Sequence, residues 1–143
     1  MIKFSEFSTK EELIRHIQET TQYKTARQAE KYLRDCLPKE SYYQRKCIEA
    51  IHRTVPGAFV WKAAAGPYGR GGIPDLCAVI NGQFYCFEIK RPFIGALTKI
   101  QEQTIARIRA AGGKAFVVSW PEQVEQILKE RILLGEMEVH SND

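Results

Sequence analysis

The chain has 143 residues, 44% hydrophobic and 27% charged, which is the balance of one globular domain rather than a disordered or fibrous chain. Its net charge of +4, from 21 Lys and Arg against 17 Asp and Glu, permits a polyanionic partner without requiring one. No apolar run approaches the ~20 residues that span a bilayer. Met1 to Lys10 lacks the apolar block of a signal peptide, so a cytoplasmic protein without a membrane segment is expected. Cys36, Cys47, Cys77 and Cys86 form no C-x-x-C pair, and a structural zinc site is not expected.

Residues 8 to 36 read as two short helices, opened by Ser8-Thr9-Lys10-Glu11 and Thr25-Ala26-Arg27-Gln28, both in capping-box spacing. Leu13, Ile14 and Ile17 give the first an apolar stripe, and Ala29, Tyr32, Leu33 and Cys36 the second. After Pro38 a third helix runs from about Lys39 to Arg53, ended by Pro56-Gly57. Ala58 to Lys62 is a short strand candidate, and Ala63 to Gly72 a glycine-rich loop. Asp75 to Ile80 and Gln83 to Lys90 read as strands joined by Asn81-Gly82, the strongest short hairpin signal. Thr98 to Ala111 is a helix stopped by Gly112-Gly113, Lys114 to Trp120 a strand, and Pro121 to Leu134 a last helix. The order predicts an α/β fold, a mixed sheet flanked by helices.

The Asn81-Gly82 turn fixes a register in which Ile80 faces Gln83, Val79 faces Phe84, Cys77 faces Cys86 and Asp75 faces Glu88. Alternation then puts Asp75, Glu88 and Lys90 on one face. Asp75 and Glu88 fall in a non-hydrogen-bonded pair, where Cα atoms approach to roughly 4.5 Å. Two carboxylates so placed repel, and the pair makes sense if a hard divalent cation such as Mg²⁺ offsets the charge. With Lys90 beside it, such a centre can bind a phosphate oxygen, activate water and stabilise charge building at phosphorus. A surface hairpin with an ion cluster is the plainer reading of the same spacing.

Glu40 leads the stripe Glu40, Gln44, Cys47, Ile48 and Ile51, so it faces the sheet and is the candidate third acid; as a first-turn residue it also suits the helix dipole. Gln101 shares a face with Ile105 and Ile108, and it completes a capping box with Thr98; both roles can hold at once. Lys62 and Arg70, in and beside the glycine loop, are candidates for phosphate contact. Cys77 and Cys86 are expected to be thiols acting as small buried hydrophobes.

Gly72-Ile73-Pro74-Asp75, the Asn-Gly hairpin and Glu88-Ile89-Lys90 form a PD…ExK pattern, followed by Gly95, Leu97, Thr98 and Gln101 and preceded by Glu40 with Gln44. This resembles the VRR-NUC branch of the PD-(D/E)xK nuclease superfamily, over roughly Glu40 to Leu128. The resemblance implies a restriction-endonuclease-like core and Mg²⁺- or Mn²⁺-dependent hydrolysis of DNA. Asp75, Glu88 and the carbonyl of Ile89 would be metal ligands together with Glu40. Lys90 would activate water or steady the transition state, and Gln101 would support it. Lys62, Tyr68, Arg70, Arg91 and Lys99 are the candidate DNA contacts. The compact size is similar to that of stand-alone Holliday-junction resolvases, which implies a homodimer on branched DNA. The alternatives are a nuclease on duplex, flap or nicked DNA without junction preference, or a catalytically idle DNA-binding module. Residues 1–37 are expected to be a helical hairpin added to a VRR-NUC-like domain over 38–134, with a polar tail over 135–143.

Overall fold

Asn81 and Gly82 have φ of 50° and 75°, the left-handed pair that a two-residue hairpin turn requires. In the computed structural model, which describes residues 1–63 and 71–135, this turn joins β2 (Leu76–Ile80) to β3 (Gln83–Ile89). Ile80 pairs with Gln83, Val79 with Phe84 and Cys77 with Cys86, the register that the turn predicts. The strand β1 (Phe59–Lys62) adds antiparallel to β2, and β4 (Lys114–Val118) adds parallel to β3, giving the order β1-β2-β3-β4. A parallel neighbour requires a crossover, and α4 (Lys99–Ala110) supplies it.

That crossover lays α4 on one face of the sheet, where Ile105 packs on Cys77, Cys86 and Ala115. The opposite face presents Leu76, Ala78, Ile80, Tyr85, Phe87 and Ile89 to the larger core. The helices α3 (Glu40–Thr54) and α5 (Pro121–Leu133) pack on each other and on this face. The helices α1 (Lys10–Thr20) and α2 (Ala26–Cys36) pair beside them. Leu13, Ile17, Ala29 and Leu33 are fully buried in the same cluster as the sheet residues, so the N-terminal hairpin shares the core instead of building its own. The architecture is a mixed α/β sheet flanked by helices, and among the described residues no helix is long and apolar enough to cross a membrane.

Several boundaries differ from the sequence reading. The cap of α1 is Thr9, whose hydroxyl accepts the Glu12 N–H, one residue later than the spacing from Ser8 suggests. Cys36, expected on the apolar stripe of α2, is exposed, and the adjacent Leu37 is buried instead. A 3-10 turn over Phe4–Glu6 precedes α1. Asp75 and Lys90 stand just outside β2 and β3. The physical reason at the first of these is Pro74: the next hydrogen-bonded partner of Ile89 outward in register has no N–H, so regular pairing ends there. The cysteines Cys47, Cys77 and Cys86 are buried free thiols, as expected for Cys77 and Cys86.

Candidate active site

Three sequence segments meet at the open end of the β2–β3 pair. Where the backbone ladder stops, the Asp75 side chain takes over: its Oδ2 accepts the Ile89 N–H at 2.8 Å. Glu88, the residue before, is 1% exposed and points to the α4 side. There Gln101 Nε2 donates to Glu88 Oε1 at 3.0 Å. Lys90 Nζ donates to Gln101 Oε1 at 2.9 Å and stands 3.6 Å from Glu88 Oε1. Gln101 is itself fixed by the start of α4. Its Oε1 accepts the Thr98 N–H at 3.0 Å, and its own N–H donates to Thr98 Oγ1 at 3.2 Å. The cap and the Glu88–Lys90 pair therefore share one amide.

The other carboxylate oxygen, Glu88 Oε2, is buried with no hydrogen-bond donor. An uncompensated buried carboxylate is costly. Burial first, and then the charge of the neighbouring Asp75 carboxylate, push the Glu88 carboxyl up to about 8. Glu40, at the N-terminal turn of α3, is also held above the usual carboxylate range, by burial first and then by the charge of Asp75. Its Oε1 accepts from Gln44 Nε2 at 3.2 Å. Hence Asp75, Glu88, Lys90, Gln101 and Glu40 share one electrostatic neighbourhood. Glu40 does not complete a close set, because among the described residues no three acidic, His or Cys side chains form a group able to hold a metal ion.

Glycines shape the approach. Gly72 has φ +83°, and a Cβ there would lie 2.6 Å from Ile100 Cγ2 and 2.7 Å from Thr104 Oγ1 on α4. The chain entering Asp75 can thus lie against the helix only as glycine. A Cβ on Gly95 would meet Lys90 Cβ at 2.8 Å, so Gly95 lets the chain after β3 fold back onto the lysine. Between them Phe93 holds a left-handed φ of 68°, a strained conformation for a bulky residue.

The expected DNA contacts are not all presented alike. Lys62 on β1 and Lys99 at the start of α4 are exposed. Arg91 is engaged within the chain: its Nε donates to Pro38 O at 3.0 Å, and its Nη2 donates to Arg34 O at 2.9 Å and Leu37 O at 2.8 Å. It ties the C-terminal end of α2 to the core, because the last carbonyls of a helix need donors that the helix cannot supply. Tyr68 and Arg70 lie outside the described residues. The sequence reading missed the Asp75–Ile89 hydrogen bond, although the Pro-Asp order, with a non-donor before an acceptor, carried its signal.

No protein-family model and no curated protein matches the chain. A solved structure of a VRR_NUC domain does, at 26% identity and a TM-score of 0.53; the match covers 63% of this chain and 94% of that domain. The chain thus resembles a VRR_NUC domain in fold, and its PD…ExK residues gather where β2 and β3 end.

Proposed function

We propose that the protein is a Mg²⁺- or Mn²⁺-dependent endonuclease that hydrolyses DNA phosphodiester bonds, preferring branched DNA such as four-way junctions. The observation that carries this reading is the donorless, buried Glu88 Oε2 beside Asp75. All-oxygen donors converging from two strand ends fit a hard cation, which keeps water in its shell and needs only one or two carboxylates. Asp75 and Glu88 would hold it, with the Ile89 carbonyl, to which Pro74 has no N–H to give. Glu40 adds negative charge from α3 as the outlying fourth member. The chemistry supplied by a cation bound there is polarisation of a phosphoryl oxygen and a lower pKa for water.

The chain's own residues do the rest. Lys90, held on Gln101 and near Glu88, keeps its ammonium fixed beside the scissile phosphate and stabilises the charge that grows there. Gln101 orients both neighbours and is a positioning residue. Lys62 and Lys99 are the exposed candidates for backbone phosphates. Each chain carries one such centre, so cutting two strands calls for a homodimer.

The deciding experiment compares four-way junction, flap, single-stranded and duplex DNA side by side, titrating Mg²⁺ and Mn²⁺ against EDTA. Cleavage with either metal, lost in EDTA, supports the reading, and branched substrates, junction or flap, should be cut faster than plain duplex. Lys90→Ala should lower the rate by about 10²–10³ while binding persists. Parent-rate cutting by that variant removes the role given to Lys90. DNA bound but uncut with both metals would identify a catalytically idle module.

A further inference from the structure

The acidic pair is the first of three cross-strand rows on the α4 side of the sheet. Continuing the register inward from Asp75 and Glu88, the next row is Trp61, Cys77 and Cys86, and the one after is Phe59, Val79 and Phe84. The main chain is continuous with the site, for the Ala63 N–H donates to the Asp75 carbonyl at 2.9 Å. Rows on one face are about 7 Å apart. Ile105 and its neighbours on α4 cover the two cysteines but leave the β1 side bare. There Phe59 is 69%, Val79 41%, Trp61 39% and Phe84 36% exposed. The rings lie tilted, Trp61 with its centroid 5.7 Å from Phe59 and 6.5 Å from Phe84. None of these rings is stacked face to face on another.

We propose that this aromatic apron is a binding site for unpaired nucleobases, stacking the bases of a single-stranded arm that leads to or from the acidic pair. The inference rests on the nuclease reading of that pair and adds a substrate feature to it: unpaired bases one or two nucleotides from the cut. Size decides between this occupant and a second copy of the chain. Four side chains at those exposures present on the order of 400 Å², about half of the ~800 Å² that each partner brings to a standard protein interface. That area suits one or two bases. Bases have flat apolar faces, and aromatic side chains accept them without regard to sequence. The sequence carries the same signal in Phe59-Val60-Trp61-Lys62, where both residues of one strand face are aromatic.

The test measures binding of a fluorescently labelled oligothymidylate to the full chain in EDTA, where no cleavage is expected. Cleavage of flap against fully paired duplex is then compared in Mg²⁺. The parent should bind the oligothymidylate. Trp61→Ala should weaken that binding about tenfold, Phe59→Ala should weaken it less, and Trp61→Phe should restore it to within about threefold. The ratio of flap to duplex cleavage should fall in the same order. Circular dichroism and melting temperature check that the variants fold, and Phe59, the most exposed of the four, gives a variant free of core effects. Oligothymidylate binding that is absent in the parent, or unchanged in all three variants, overturns the apron. So does a fall in solution molar mass from dimer to monomer in Trp61→Ala with oligothymidylate binding kept. A parent that binds oligothymidylate through Trp61 yet cuts no DNA defeats the nuclease reading and leaves the apron standing.

Discussion

Glu88 holds the tension of the site in one side chain. Its carboxyl is pushed up from 4.5 to about 8 by burial and by Asp75. Between those values the folded chain carries a proton that the unfolded chain has lost, so without metal this residue's contribution to stability declines as pH rises from about 4.5 to 8. The slope is at most about 1.4 kcal/mol per pH unit. Glu88→Gln should therefore melt higher than the parent at pH 8 in EDTA, with a flatter dependence on pH, as read by thermal denaturation from pH 5.5 to 8.5. A parent whose melting temperature rises across that range, with the variant following it, would contradict the assignment. Mn²⁺ should raise the melting temperature of the parent more at pH 8 than at pH 6, because the cation competes with the proton, and should leave Glu88→Gln nearly unmoved. The repulsion was legible in the sequence, since Asp75 and Glu88 continue the register that Asn81-Gly82 sets, one position beyond the pair Leu76 and Phe87. The burial of Glu88 was not, because it depends on α4 arriving over it.

Helix starts do the positioning at the scale of elements. Two capping boxes have the same form, Thr25 with Gln28 on α2 and Thr98 with Gln101 on α4. Removing either threonine should cost about 1 kcal/mol of stability. The consequences for activity differ, because only the Gln101 amide also holds Glu88 and Lys90. Thr98→Ala should lose DNA cleavage well beyond its loss of stability, whereas Thr25→Ala should retain it; urea melts and cleavage rates on the same samples make the comparison. Arg91 belongs to this scale too. Its guanidinium serves three main-chain carbonyls at and just beyond the end of α2, and bonds from a charged donor contribute ~1.5–3 kcal/mol each without being additive. Arg91→Ala should destabilise the fold by about 2–4 kcal/mol in urea. Arg91→Lys should not repair it, since one ammonium cannot reach all three carbonyls as the planar fork does. The salt dependence of DNA binding should stay the same in Arg91→Ala, which separates this role from a phosphate contact. A basic residue directly after Glu88-Ile89-Lys90 reads naturally as a substrate contact, and nothing within α2 or β3 alone reveals the partner across 50 residues of chain.

The whole molecule has one main core, and the N-terminal hairpin is part of it. Leu13, Ile17, Ala29 and Leu33 are completely buried together with Phe87, Ile89 and Leu128. Deleting residues 1–37 should therefore expose a broad apolar face of the remaining chain, not release an independent catalytic unit. The truncated protein should show a non-cooperative melt and bind a hydrophobic dye; a sharp melt near that of the parent would make the hairpin dispensable. The match to the VRR_NUC domain covers 63% of this chain.

The sequence by itself determined whatever depends on neighbours a few residues apart. The hairpin register came from the positive φ of Asn81-Gly82, the helix starts at Thr25 and Thr98 from their caps, and the common face of Asp75, Glu88 and Lys90 from the two-residue period of a strand. Tertiary structure decided whatever depends on which surface another element covers. It buried Glu88 under Gln101, kept Glu40 near the pair but outside a close metal set, turned Arg91 toward α2, and left Phe59, Trp61 and Phe84 bare beside α4. Local periodicity says which face a residue is on; only the packing of distant segments says whether that face meets protein, water or substrate.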